Sequence, residues 1–183
     1  MKKLMIALAT VAMAAGVQAA SVYWTATNVY AGNDTDKISG VAYFLTTSMA
    51  STDSWASLKS ASEFQSALEG RYSYTPSTAG TYSVTSANAV DNATLGLSDS
   101  TAYTGYLLIF DTATITDDSK YYITNTKDFT TLSGTSSASV GFMNQRTASQ
   151  AASGWAAVAV PEPTSGLLML LGMAGLALRR RRA

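Results

Sequence analysis

The chain of 183 residues contains no cysteine and no histidine. Without thiols there are no disulfides, no iron–sulfur clusters and no thiolate nucleophile. Without imidazole there is no histidine-ligated zinc and no Ser-His or Cys-His catalytic pairing. Proline is scarce, at three residues, while ten tyrosines, three tryptophans and five phenylalanines are present. A disordered stalk has the opposite balance, so the Ser- and Thr-rich middle is expected to be folded and rich in β-structure. Basic clusters are also missing from the middle. Residues 20–160 hold six basic groups (Lys37, Lys59, Arg71, Lys120, Lys127, Arg146) against eleven acidic ones, a net charge of −5. Nucleic acid is not an expected partner, because neutralising phosphates takes clustered Lys and Arg.

The other six of the twelve basic residues stand at the two extremities. Lys2 and Lys3 precede an apolar stretch from Leu4 to Ala15, and Val17-Gln18-Ala19 supplies small residues for cleavage. Residues 1–19 therefore have the order of a secretory signal peptide, cut by signal peptidase between Ala19 and Ala20. At the other extremity, an apolar and Gly run of thirteen residues from Gly166 to Leu178 is closed by Arg179, Arg180, Arg181 and Arg182. As a helix it reaches about 20 Å, short of the ~30 Å hydrocarbon core. Local bilayer thinning and snorkelling arginines can make up the difference. Four arginines favour the cytoplasmic side, which places the acidic domain outside. Pro161 and Pro163 keep the chain extended just before that run.

Val160-Pro161-Glu162-Pro163, the apolar helix and the terminal arginines together resemble the PEP-CTERM sorting signal of bacterial exported proteins. The same tail is also known as an ice-binding protein C-terminal domain, a label that says nothing of whether the middle binds ice. The resemblance covers the last ~23 residues, 161–183, and implies recognition by an exosortase, a membrane-embedded cysteine protease or transpeptidase. That enzyme removes the helix near Pro161, Glu162 and Pro163, with Arg179 to Arg182 as the basic stop. Family members are typically surface or matrix proteins of bacteria that make exopolysaccharide. An ordinary single-span anchor left in place is the other reading, and only the Pro-Glu-Pro sequence favours cleavage.

The central 141 residues, 20–160, suit one domain. Ser21 to Tyr30 alternates as a strand with Val22, Trp24 and Ala26 on one face, and Ile38 to Thr46 reads as its partner across a seven-residue hairpin loop. Thr52 to Glu69 places Trp55, Leu58, Ala61, Phe64 and Leu68 at spacings of three and four, which predicts one amphipathic helix. Ser51 or Thr52 would cap its start, and Gly70 suits the left-handed position after its last turn. Short strands follow at Tyr72–Thr75, Thr81–Ala87, Lys120–Asn125, Ser139–Asn144 and Trp155–Val160. The strongest is Ala102 to Thr112, whose Leu107-Leu108-Ile109-Phe110 run implies cover on both faces. The expected fold is mainly β or α+β: a small antiparallel sheet or sandwich with one helix packed on it. The Tyr-Leu-Leu-Ile-Phe-Asp strand followed by Lys-Tyr-Tyr-Ile also looks like the short β domains found ahead of this sorting tail.

Candidate chemistry in the middle is thin. Asn33-Asp34-Thr35-Asp36 lacks the acids, central Gly and distal Glu of a calcium loop, and Asp117-Asp118 reads as a plain turn, so no metal and no cofactor is expected. Glu63 and Glu69 are six residues apart on one helix, too far to act as a glycosidase pair, and no Ser-x-x-Lys is present. The leading expectation is a non-enzymatic surface or matrix protein. A carbohydrate-binding or adhesive module, with Tyr72 and Tyr74 or Tyr121 and Tyr122 stacking on sugars, is the alternative, and a small carboxylate hydrolase is third. Asn33-Asp34-Thr35 and Asn92-Ala93-Thr94 match the glycosylation tripeptide.

Overall fold

A computed structural model describes residues 19–30, 36–142 and 154–159. Within them run β1 (Ser21–Ala26), β2 (Ala42–Thr46), a 3-10 helix (Thr52–Ser57), α1 (Ala61–Leu68), β3 (Ser73–Tyr74), β4 (Tyr82–Val84), a second 3-10 turn (Ser86–Asn88), β5 (Val90–Asp91), β6 (Ala102–Phe110), β7 (Lys120–Ile123), β8 (Lys127–Thr130), β9 (Ser137–Gly141) and β10 (Ala156–Ala157). The strands make two sheets, and the helix lies on the second.

The first sheet is built around β1. Its C-terminal half pairs antiparallel with β4 (Trp24 opposite Val84) and its N-terminal half with β5 (Val22 opposite Val90). A strand has two edges, so these two short strands share one, and β9 takes the other in parallel along Ser21 to Thr25. The second sheet is built the same way around β6. One edge pairs with β2 from Gly105 to Ile109, and the other is shared by β7 and β8. Where β7 gives way to β8, Thr124 bridges the gap: its amide donates to the Leu107 carbonyl at 3.0 Å, and its hydroxyl accepts from the Leu107 amide at 2.9 Å. β3 extends the sheet beyond β2, and β10 extends it beyond β7.

Alternation along the strands then divides the apolar side chains between two cores. Val22, Trp24 and Ala26 of β1 face Ala42 and Phe44 of β2 and Leu107 and Ile109 of β6, forming the layer between the sheets. Trp24 stacks on Phe44 with ring centroids 4.8 Å apart. The opposite face of β6, with Tyr106, Leu108 and Phe110, packs under Trp55, Phe64 and Leu68. Phe64 lies edge-on to Phe110 at 5.7 Å. Residues 106–110 are thus covered on both faces, as their unbroken apolar run predicts.

Three sequence expectations need correction. β1 and β2 do not form a hairpin; they lie in different sheets, and among the described residues between them the pairing is local, an isolated bridge of Tyr30 with Lys37 and the Ile38 amide donating to the Val29 carbonyl at 3.4 Å. Their apolar faces meet across the sandwich instead of side by side. The chain makes that crossing at Gly40, where a Cβ would collide with the Phe110 carbonyl. Second, the sheet is not wholly antiparallel, because β9 joins β1 in parallel. Third, Thr52 to Glu69 is not one helix. Leu58 to Ser60 interrupts it in extended conformation, and Ser60 caps α1 by accepting from the Glu63 amide. The apolar face survives the break. Trp55, Leu58, Ala61 and Phe64 recur every three residues, the period of a 3-10 helix rather than an α-helix. Gly70 does take the left-handed conformation, with φ +71°. β5 and β8 are strands that the sequence reading left unassigned.

Candidate functional site

The place where the domain hands over to the C-terminal tail is built by the loop between β6 and β7. Ser119 is buried there, and its hydroxyl contacts Thr112 Oγ1 at 2.7 Å and accepts from the Thr116 amide at 2.9 Å. That bracing fixes the Asp117-Asp118 turn. The Ser119 carbonyl then accepts from the Val158 amide at 2.9 Å, and the Asp117 carbonyl from the Ala159 amide at 3.3 Å. Val158 itself is completely buried in the second core. The Asp117 side chain is also occupied, its Oδ1 accepting from the Ala61 amide at 2.7 Å at the start of α1. The Asp117-Asp118 turn therefore joins the start of α1 to the residues that follow β10.

Of the residues singled out from sequence, Ala19 is exposed and Ala20 is buried, with the Ala20 carbonyl accepting from the Asn92 amide at 2.8 Å. Pro161, Glu162, Pro163, the Gly166–Leu178 run and Arg179 to Arg182 lie outside the described residues, as do Asn33, Asp34 and Thr35. Among the described residues no helix is long and apolar enough to cross a membrane, and no group of acidic residues could hold a metal ion.

The expected aromatic platforms are differently placed. Tyr121 is buried against Phe64 at 5.0 Å, because α1 covers that face of β7. Tyr122 is half-buried beside Trp155 at 5.7 Å. Tyr74 is half-buried and donates through its hydroxyl to the Ser83 carbonyl at 3.0 Å, tying β3 of one sheet to β4 of the other. Tyr72 is half-buried with its ring edge-on to Trp24 at 5.8 Å, and burial pushes its phenol pKa up, reinforced by Tyr74. Among the described residues, every tyrosine and tryptophan is buried or half-buried.

Tyr72 does line a cleft, one that no local pattern in the chain announces. Gly70, Arg71 and Tyr72 on one side and Ala93, Thr94, Leu95 and Gly96 on the other enclose about 160 Å³ over Phe44 and Met49. Gly70 and Gly96 both turn the chain with positive φ, which brings the two loops together. The cleft thus carries an exposed guanidinium, a threonine hydroxyl and aromatic carbon. Its second loop is pinned by Asn92, whose Nδ2 donates to Asp99 Oδ1 at 2.7 Å and the Leu132 carbonyl at 3.2 Å. Asn92 is 2% exposed, so in the folded domain this tripeptide is not a glycosylation acceptor. A second, more open hollow of about 480 Å³ lies beside β6 and β8, where Asp128 Oδ1 accepts from Thr104 Oγ1 at 2.6 Å.

Comparison with known proteins places the tail. Residues 159–182 match the PEP-CTERM protein-sorting motif. The match begins at Ala159, the last of the described residues, and it implies export and an exosortase as processing partner. No curated protein and no solved structure matches the chain.

Proposed function

We propose that this is a non-enzymatic bacterial surface or matrix protein, exported through residues 1–19 and released from its membrane-held precursor when an exosortase cuts near Pro161 to Pro163. The observation that carries the reading is the tripartite tail, matched over residues 159–182. The carboxylates support the non-enzymatic part. Glu63 binds the Lys59 amide ahead of α1, Asp99 holds Asn92, Asp111 accepts from the Lys120 amide at 2.8 Å, and Asp117 and Asp128 are engaged as described. These acids serve as local braces scattered over the surface rather than as a pair in one cleft. Replacing Pro161 and Pro163 by Ala is expected to shift the protein from the matrix fraction to the membrane fraction. An unchanged distribution would argue for a permanent anchor that no enzyme reads.

One observation favours a second reading, carbohydrate binding. The cleft at Arg71 pairs a cation with the half-buried Tyr72 ring and the Thr94 hydroxyl, a combination suited to a sugar bearing a carboxylate. On this reading, a uronate-containing polysaccharide column retains the protein, and Arg71→Gln lowers retention about tenfold, the loss of one charge-assisted contact. Equal elution of both proteins removes the reading and leaves the first untouched.

A further inference from the structure

β10 and the two residues after it hold the chain that leads in sequence to the sorting motif. β10 pairs with β7 through Ala156 opposite Tyr121 and Ala157 opposite Lys120. Val158 is then seated in the second core, and Ala159 is bonded to the Asp117 carbonyl. Only Val160 stands between that bond and Pro161. In sequence, the six residues from Val160 to Ser165 stand between Ala159 and the apolar run. Fully extended, they reach about 20 Å. On the proposed function, a membrane-embedded enzyme cutting near Pro161 to Pro163 works within that reach and grips chain on both sides of the bond. Freeing Ala156 to Ala159 adds four residues, about 13 Å of reach.

We propose that β10 is a clasp, with Val158 as its peg, that opens before the tail is cut. In the closed state the residues preceding the motif are held on the domain, out of the enzyme's grip. In the open state they join the linker, and the cleft closes over them. Residues 156 to 159 position the substrate and take no part in the bond chemistry. The proposal rests on the tail being an exosortase substrate, and it adds that the rate of cutting follows the stability of one two-residue strand.

The chain has no cysteine, so a single engineered crosslink tests this cleanly. Ala157 and Lys120 are directly paired and both exposed, and Cβ atoms of such a pair are close enough for a disulfide. In the native envelope, full-length Lys120→Cys/Ala157→Cys is expected to remain a precursor when oxidised and to be cut when reduced. The same pair with an eight-residue Gly/Ser spacer inserted after Ala159 is expected to be cut even when oxidised, which also shows that the enzyme stays active under those conditions. Val158→Ala, which loosens the peg, is expected to speed processing roughly tenfold. Cutting of the oxidised spacer-free protein at the wild-type rate would overturn the clasp while leaving processing intact. A wild-type chain that is never cut removes the processing reading, and the clasp with it.

Discussion

Tyr106 carries more of the fold than its position in an apolar run suggests. Its ring is fully buried in β6, and its hydroxyl donates to the Ala50 carbonyl at 2.8 Å while accepting from Trp55 Nε1 at 2.8 Å. That one oxygen locks the 3-10 helix onto the second sheet. Tyr106→Phe leaves a buried indole N–H and a carbonyl without partners, an expected loss of about 2 kcal/mol measured by urea unfolding. The phenol itself is pushed above its ordinary pKa by burial, against the opposing effects of Trp55 and Arg71. Burial raises Tyr43, Tyr82, Tyr121 and Tyr122 in the same direction. A phenol raised in the folded state stabilises the fold fully below its unfolded value of about 10, and that contribution is lost as pH climbs through the folded value. Stability is therefore expected to be flat across neutral pH from this source and to fall above pH ~10. A midpoint unaffected by alkali would contradict the placement of these phenols. Sequence alone marked Tyr72, Tyr74, Tyr121 and Tyr122 as surface residues, because short strands and polar neighbours look exposed. What covers them is long-range: a helix over Tyr121, and Trp24 beside Tyr72.

At the scale of elements, α1 is held by its start. Ser60 accepts from the Glu63 amide at 3.4 Å, Glu63 binds back to the Lys59 amide, and Asp117 takes the Ala61 amide. This is a capping-box arrangement shifted by one residue, legible as Ser60-x-x-Glu63 in the sequence but overridden by the longer apolar periodicity around it. Ser60→Ala is expected to cost about 1 kcal/mol by chemical denaturation. Asp117→Ala should cost a similar amount, because it strips the same first turn. If Ser60→Ala is neutral, the break at Leu58 to Ser60 is not a helix start. Other elements were legible where the signal is local. β1 and β6 follow from alternation and from an unbroken apolar run, and the helix end follows from Gly70. The parallel pairing of β1 with β9 was not, since Ser21 meets Ser137 across 116 residues and no local pattern encodes a partner that distant. β5 and β8 were missed because each occupies only part of one edge of a longer strand.

At the scale of the whole molecule, the described residues form two sheets with α1 packed on the second, and the first and last described strands, β1 and β10, lie in different sheets. The C-terminal tail was the most legible part of the sequence, since a sorting signal is read by composition and order rather than by tertiary contacts. The match over residues 159–182 agrees with that reading of the tail. The middle offered less, because Glu63, Asp99, Asp111, Asp117, Asp128 and several tyrosines turn out to brace the fold, and the Arg71 cleft forms from loops some twenty residues apart in the chain. The most direct measurement is the intact mass of the protein purified from its native envelope and medium. The account predicts a chain that starts at Ala20 and ends near Pro161 to Pro163, with or without an added group at the new terminus. A mass running from Ala20 through Ala183 would contradict it, and would make the tail a retained anchor.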